Sequence, residues 1–431
     1  MNLVSPSSVP ANFWHRRRIL VGVCGGIAAY KVAGLVSMLA QQGAEVRVMV
    51  TGSAQSFVSP LTFATLARHQ AYTDADFWQP SQGRPLHIEL GEWADGILIA
   101  PLSAHTLGKL AAGLADNLLT NVILASTCPV LLAPAMNSDM WRAVAVQRNW
   151  RQMQLDPRFW GLMPGEGRLA CDVVGPGRMA EPEMVASALM AMLWTQGSRD
   201  GGDQRVLISG GGTRDPIDQV RFMGNPSSGR MGWALAQAAA WRGATVTWVH
   251  GELGFEPVGL NDYPITRIPV VTSAQMQMAL QQEFPHCDLL LMAAAVGDVR
   301  PSHSYGGKLA KGDLPHQLAL EPVPDIVAGL AGQKQAHQRV VGFAAQTFAP
   351  QTCAAASRDP VALAQAKLKA KHLDAIVLNP IDQPQRGFGS TTNEAILIGA
   401  DGSVQGIPLC TKAEMAHHLL DWVWKEGLTR L

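Results

Sequence analysis

Cysteine is scarce in this 431-residue chain: six in all, Cys24, Cys128, Cys171, Cys287, Cys353 and Cys410, far apart and with no C-x-x-C pair. That spacing suggests neither a disulfide framework nor a zinc site, and a reducing cytoplasm is the simplest setting. Net charge is missing as well, because 34 basic and 34 acidic side chains cancel. The long-range attraction of a nucleic-acid or anionic-membrane binder is therefore not expected, and any anionic ligand has to be held locally. No apolar run approaches the roughly 20 residues of a membrane span, and the opening residues lack the apolar core of a secretory signal. Residues 1 to about 17 read as a frayed tail, whose HRRR cluster leaves an organellar address open.

What is present is a repeated alternation. Apolar runs suited to buried strands recur at 18–23 (RILVGV), 45–50 (EVRVMV), 96–100 (GILIA) and 129–133 (PVLLA), separated by helix-period or alanine-rich segments. This predicts an open, mainly parallel α/β sheet with helices on both faces, a flavodoxin-like or Rossmann-like three-layer domain. TQGSRDGGDQ (195–204) then breaks the pattern with the composition of a linker. The alternation restarts at 205–209 (RVLIS), 244–249 (ATVTWV), 289–295 (LLLMAAA), 339–345 (RVVGFAA) and 375–379 (AIVLN), which predicts a second Rossmann-like sheet. Two domains follow, 18–194 and 205–431, as the length itself suggests. The stretch 297–325, rich in Gly, Pro, His and Lys, reads as a long functional or mobile loop.

The first strand leads into GVCGGIAAYK (22–31), whose glycines let a ligand approach the backbone at a helix N-terminus; a ligand-free tight turn is the alternative. The spacing is not G-x-G-x-x-G, and the second strand ends in Val50, Thr51, Gly52 and Ser53 where an NAD site would carry an acid. Hydroxyls there suit a flavin or a phosphate. In APLSAHT (100–106), Ser103 and Thr106 offer hydroxyls beside free amides, for phosphate binding or for ordinary N-capping. His87 stands ahead of an acidic helix or turn in PLHIELGEWAD (85–95), although a lone histidine is more often structural. Met136 and Asn137 lie past a strand end in APAMNSDMW (133–141), and Cys171 sits in GRLACDVVGPGRMAEP (167–182), a poor candidate for any regular element and so a candidate flap.

Together, the glycine turn, a His before I-E-L, the P-A-M-N motif and the A-C…G-P-G-R-M flap resemble the flavin-dependent cysteine decarboxylase family over residues 22–181. The resemblance implies FMN near Gly25, Gly26, Thr51 and the turn of Ser103, Ala104, His105 and Thr106, with 4′-phosphopantothenoylcysteine as substrate. The family's chemistry oxidises the cysteine moiety to a thioaldehyde, releases carbon dioxide to leave an enethiol, and returns the hydride. By motif position, His87 is the base for the thiol proton, a task suited to imidazole. Asn137 binds the substrate carboxylate or amide, Cys171 donates the closing proton, and Arg178 is a candidate phosphate contact. Three departures stand out: Cys24 where the family often has Ser, His105 where it has Asn, and Asp172 where Gly commonly follows the flap cysteine.

In the second half, SGGGTRDPIDQVRFMGNPSSGRMG (209–232) runs from a strand end into a helix expected to start near Ser227. Its amides, with Ser227, Ser228, Arg221 and Arg230, offer a phosphate cradle; a bare dinucleotide fold with Glu252 as ribose acid is the rival. Asp298, Lys308 and Lys311 on the long loop, PVPDIVAGL (322–330), VVGFAAQT (340–347) and KLKAKHLD (367–374) then follow in an order that resembles the phosphopantothenate–cysteine ligase family. The resemblance implies activation of 4′-phosphopantothenate by CTP as an acyl-cytidylate, attack by the cysteine amine, and Mg2+ on the triphosphate with its ligands unassigned. Met292, Ala293, Ala294, Asp298, Lys308, Val323, Pro324, Asp325, Ile326, Phe343, Lys367 and Lys371 are mapped around the nucleotide, and Asn225 and Arg221 on the acyl-intermediate side. Val323 replaces the family's usual Asn, and Gln346 its usual Glu.

From residue 18 to about 428 the chain thus resembles a bifunctional enzyme of coenzyme A biosynthesis. A homo-oligomer is implied, trimeric through the decarboxylase, dimeric through the ligase, and a dodecamer where both combine. An NAD(P)-linked reductase and a flavin-binding regulatory module are the competing classes; the coexistence of His87, Asn137 and Cys171 argues against the second.

Overall fold

Runs without a polar face have to be buried from both sides, and the strongest of them form the centres of two sheets. The computed structural model describes residues 12–79, 83–259, 261–347 and 359–427; residues 1–11 of the expected tail, and Cys353, lie outside the described residues. The chain forms two compact units, Asn12–Asp200 with Pro257–Tyr263, and Gly201–Glu256 with Pro264 onward.

In the first unit, β1 (Arg18–Val23), α1 (Ala29–Gln41), β2 (Glu45–Val50), β3 (Ala71–Tyr72), α2 (Leu86–Trp93), β4 (Gly96–Leu102), α3 (Ala104–Ala112), β5 (Val130–Pro134), α4 (Ser138–Arg142) and β6 (Phe159–Gly161) lead to a six-stranded sheet of order β3-β2-β1-β4-β5-β6. Every pairing is parallel. Strands β4 and β5 are buried at every residue, so Ile97, Leu98 and Ile99 each contribute about 1.5–3 kcal/mol of burial. Helix α1 buries Val32, Leu35, Val36 and Leu39, the stripe expected of a helix laid on a sheet. The order in which strands are added reverses between β1 and β4, which opens a crevice at their C-terminal ends.

Beyond the sheet come β7 (Gly165–Arg168), β8 (Val174–Arg178) and α5 (Pro182–Trp194). The segment around Cys171, expected to be irregular, is therefore an antiparallel hairpin with Cys171 at its tip. Glycines at 165, 167, 175 and 177 do not prevent pairing here; they let the hairpin backbone approach its neighbours.

The second unit contains β9 (Arg205–Gly210), β10 (Arg214–Pro216), β11 (Phe222–Gly224), α6 (Arg230–Trp241), β12 (Thr245–His250), β13 (Ile265–Pro269), β14 (Leu289–Met292), β15 (Val299–Pro301), β16 (Leu320–Pro322), α7 (Ile326–Ala331), β17 (Arg339–Gln346), α8 (Pro360–Ala370), β18 (Ala375–Pro380), β19 (Thr392–Gly399), β20 (Val404–Thr411) and α9 (Lys412–Asp421). Its main sheet has the order β13-β12-β9-β14-β17-β18-β19-β20. The first six strands pair in parallel and the last two pairings, β18–β19 and β19–β20, are antiparallel, an edge hairpin the sequence did not announce. Helix α6 starts at Arg230, after Gly229 at φ +78°, and not near Ser227. It lies close on β9 because Gly232 faces Gly210: a Cβ on Gly232 would fall 2.8 Å from the Gly210 Cα. Strand β14 ends at Met292, three residues earlier than expected, which frees the next backbone for the site. The long loop carries the two-stranded ribbon β15–β16.

Candidate active sites

The first site forms where β1, β2 and β4 end. Thr51 is buried and its hydroxyl donates to the Val23 carbonyl at 3.2 Å, joining two strand ends. Gly25 passes so close to Ser53 that a Cβ would collide with its side chain, while a Cβ on Gly26 would meet only Pro101, at 4.0 Å. Gly26 therefore leaves room for a ligand at the backbone. Ser103 caps α3, its Oγ accepting from the Thr106 amide at 3.2 Å and donating to the Thr106 hydroxyl at 3.2 Å. Ala104 opens that helix half-buried, and His105 is exposed. Cys24 is buried beside this turn; burial pushes its thiol up, against hydrogen bonds from Thr106 and Ser103. The replacement of a hydroxyl by this thiol leaves the backbone path intact.

The hairpin tip meets the P-A-M-N turn. Asn137 Nδ2 donates to Cys171 Sγ at 3.3 Å, while its Oδ1 accepts from the Asp139 amide at 2.8 Å and so fixes the side chain as the cap of α4. The hairpin is seated by Gly177, at φ +142°, whose carbonyl accepts from the Met136 amide at 2.9 Å. A Cβ there would overlap Met136 O, and one on Gly175 would fall 2.8 Å from Ser138 Oγ. Arg178 does not stand free for a phosphate: it bonds Glu181 at 2.9 Å, and Glu181 also holds Lys31 of α1 at 2.8 Å. Asp172 occupies the left-handed region at φ +63°, which explains why glycine suits that place and why Asp tolerates it.

His87 is the second residue of α2, inside the helix and not ahead of it; Pro85 fixes the helix entry one turn before the acids that had suggested a later start. Its ring packs edge-on to Phe77 at 5.5 Å, and its Nδ1 is buried without a hydrogen-bond partner. The structure joins Asn137 to Cys171 but records no hydrogen bond from His87 to either.

The second unit holds a cavity of about 690 Å³ lined by residues of β14, β17 and β18. Asn225, Met292, Ala293, Ala294, Asp298, Val323, Pro324, Asp325, Ile326, Phe343, Lys367 and Lys371 all line it. Asn225 bridges it, Nδ2 donating to Val296 O at 3.2 Å. Asp325 caps α7 through the Ala328 amide at 3.0 Å and pairs with Lys371 at 3.0 Å. Ser227, Ser228 and Arg230 line the cavity at the start of α6. Glu252, the rival's ribose acid, lies 3.8 Å from Arg214.

Two expected residues, Arg221 and Lys308, do not line it. Arg221 is paired with the buried Asp218, whose Oδ1 accepts from the Val220 and Arg221 amides at 2.8 and 2.7 Å. Asp218 Oδ2 also accepts from Leu309 N at 3.2 Å, so one carboxylate holds both Arg221 and the backbone next to Lys308. Burial pushes this carboxyl up, but the amides and Arg221 outweigh it and hold it at about 2. Sequence reasoning missed Asp218 and also Lys412, a buried lysine lining the cavity; a lone Lys after a capping threonine carries no visible signal.

Among the described residues no three His, Cys, Asp or Glu gather as a metal site, and no helix is long and apolar enough to cross a membrane. Sheet order and site geometry define a two-domain α/β protein, with a site at a switch point in the first unit and a nucleotide-sized cavity in the second. Residues 10–193 match the family described as flavoprotein, and residues 202–426 the DNA/pantothenate metabolism flavoprotein C-terminal domain. The coenzyme A biosynthesis bifunctional protein CoaBC of Bacillus subtilis strain 168 is 39% identical over 407 residues, covering 94% of this chain and 96% of that one. Its Escherichia coli K12 namesake is 37% identical over 413 residues, with shares of 94% and 96%. A cysteine/cysteine sulfinic acid decarboxylase from an unknown prokaryotic organism is 40% identical over 368 residues, with shares of 84% and 98%. The chain belongs to the family of bifunctional coenzyme A biosynthesis proteins, a flavoprotein decarboxylase domain followed by a ligase domain.

Proposed function

We propose that the second unit couples 4′-phosphopantothenate to cysteine at the expense of CTP, and that the first decarboxylates the product, 4′-phosphopantothenoylcysteine, to 4′-phosphopantetheine with FMN. The observation that carries this reading is the contact of Asn137 with Cys171 under a hairpin seated on the P-A-M-N turn. An amide that orients a carboxylate and a thiol that gives up a proton are the groups such a decarboxylation requires.

The first site fits FMN. Gly26 leaves open backbone, Thr51 and Ser103 bring hydroxyls, and the N-terminus of α3 favours an anion. Bound there, FMN supplies the reversible two-electron oxidation. His87 takes the substrate thiol proton, its unpartnered Nδ1 marking an imidazole with hydrogen-bonding capacity to spare. Asn137 orients the carboxylate, the hairpin excludes water, and Cys171 returns a proton to carbon.

In the ligase cavity the amides at Ser228 and Gly229 receive phosphate, Asn225 serves the acyl-cytidylate, and Lys367 offsets developing charge. Asp298 lines the cavity as a carboxylate for Mg2+, which characteristically shares one or two carboxylates with substrate phosphates. The steps belong in the cytoplasm. Exposed Ile27 and Tyr30 beside the glycine turn support an oligomer that completes the flavin site, trimeric there and dimeric through the ligase, up to a dodecamer.

The test is paired. Cys171→Ala should still release carbon dioxide from supplied 4′-phosphopantothenoylcysteine but stop at the oxidised enethiol and form no 4′-phosphopantetheine, while CTP-dependent pyrophosphate release continues. Loss of pyrophosphate release in the same variant, or 4′-phosphopantetheine formed at the wild-type rate, contradicts the assignment.

A further inference from the structure

The ligase cavity holds a pair of cations to which the reading above gives no joint task. Arg230 and Lys412 stand at the first positions of α6 and α9, two helices packed against each other, and both line the cavity. Lys412 is only 8% exposed. Its ammonium donates to the Gly387 carbonyl at 3.2 Å, and among the described residues no carboxylate pairs with it. Glu414, two residues on, accepts from the Thr411 amide and hydroxyl, both at 2.7 Å, closing the helix cap. The Arg230 guanidinium lies over the Phe255 ring at 4.6 Å.

A buried cation without a counter-charge is costly, and a second cation beside it adds to the cost. An anion entering the cavity between them relieves both. The N-terminus of α6 opens onto the same cavity and favours the same sign of charge, whereas the first amides of α9 are taken up by the Thr391 carbonyl and the Thr411 hydroxyl. We propose that Lys412 and Arg230 form a phosphate-binding subsite of the ligase cavity, filled by a phosphate group of the nucleotide or of the phosphorylated acyl substrate. The choice between those sources rests on the ligase reading; the subsite itself rests on the two cations.

A proton signature follows. Burial, with the Arg230 charge, lowers the Lys412 amine to about 8. Besides Arg230, the charged groups lining this cavity are Asp298, Lys367 and the Asp325–Lys371 pair; the Arg386–Glu394 pair flanks Gly387, and α9 also carries Glu414, His417, His418 and Asp421, the last bonded to Arg242 just past the end of α6. A bound phosphate holds the amine as ammonium, so at pH 8.5 binding takes up about 0.8 proton.

The experiment is calorimetric titration of the full chain at pH 8.5 in two buffers of unlike ionisation heat. The probes are CTP, 4′-phosphopantothenate and inorganic pyrophosphate. Wild type takes up a proton with at least one probe, and whether CTP or 4′-phosphopantothenate shows it identifies the source. Lys412→Met weakens that probe tenfold or more and loses the uptake; Lys412→Arg, always charged, restores affinity without uptake. Equal uptake in wild type and Lys412→Met, unchanged affinity in Lys412→Met, or no uptake with any probe overturns the subsite. Failure of CTP and 4′-phosphopantothenate to bind, with pyrophosphate still bound and a proton taken up, refutes the ligase reading and leaves the subsite standing.

Discussion

Gly177→Ala is the sharpest test of how the first site is assembled. At φ +142° an alanine is strained by about 1–3 kcal/mol, and its Cβ would also overlap Met136 O, so the hairpin has to lift off the P-A-M-N turn. Lifting it breaks the Met136–Gly177 hydrogen bond of 2.9 Å and draws Cys171 from Asn137. If the strain falls wholly on the seated hairpin, 1–3 kcal/mol corresponds to a loss of about 5- to 150-fold in productive closure. The assay is single-turnover decarboxylation of 4′-phosphopantothenoylcysteine, with ligase activity of the same preparation as the internal control. Gly34→Ala is the matched control: Gly34 lies within α1 with nothing within 4 Å of a new Cβ, so it should be neutral or stabilising by up to about 1 kcal/mol. A wild-type decarboxylation rate in Gly177→Ala would refute the seating of the hairpin.

Three further outcomes are expected. Asp218, with a folded value near 2 against 3.8, stabilises the protein above pH 4 and loses that contribution as pH falls toward 2; Asp218→Asn should flatten this acid limb and slow CTP-dependent coupling, and an unchanged limb would count against the latch. Arg242 is fully buried, bonds Asp421 at 2.7 Å and lies over Trp424 at 4.7 Å, so Arg242→Met should cost about 3 kcal/mol in urea unfolding of the second unit; an unmoved midpoint would contradict this. Iodoacetamide at pH 8 should modify exposed Cys171 first and spare Cys287 and Cys410, whose thiols burial pushes to about 12, which peptide mapping reads directly.

Much of the fold was legible because its central strands are buried on both faces, and unbroken apolar runs such as GILIA leave few alternatives. The edge was not. In β19 the burial alternates along TNEAILIG, and in β13 only part of ITRIP is covered, so neither stands out from a loop. The hairpin around Cys171 was hidden by its glycines, which ordinarily argue against a strand and here permit close approach to Met136 and Ser138. Motif order brought most of the cavity lining into view. What it left out are residues whose importance arises only from burial: Lys412, uncompensated beside Arg230, and Asp218, which holds together two segments 88 residues apart in sequence.

The central claim is that one chain performs both steps, and mass spectrometry of the product tests it most directly. Given 4′-phosphopantothenate, cysteine, CTP and Mg2+, the purified, FMN-loaded chain should form 4′-phosphopantetheine, with 4′-phosphopantothenoylcysteine passing through as the intermediate. Accumulation of that intermediate without decarboxylation, or no CTP-dependent product at all, would contradict the account.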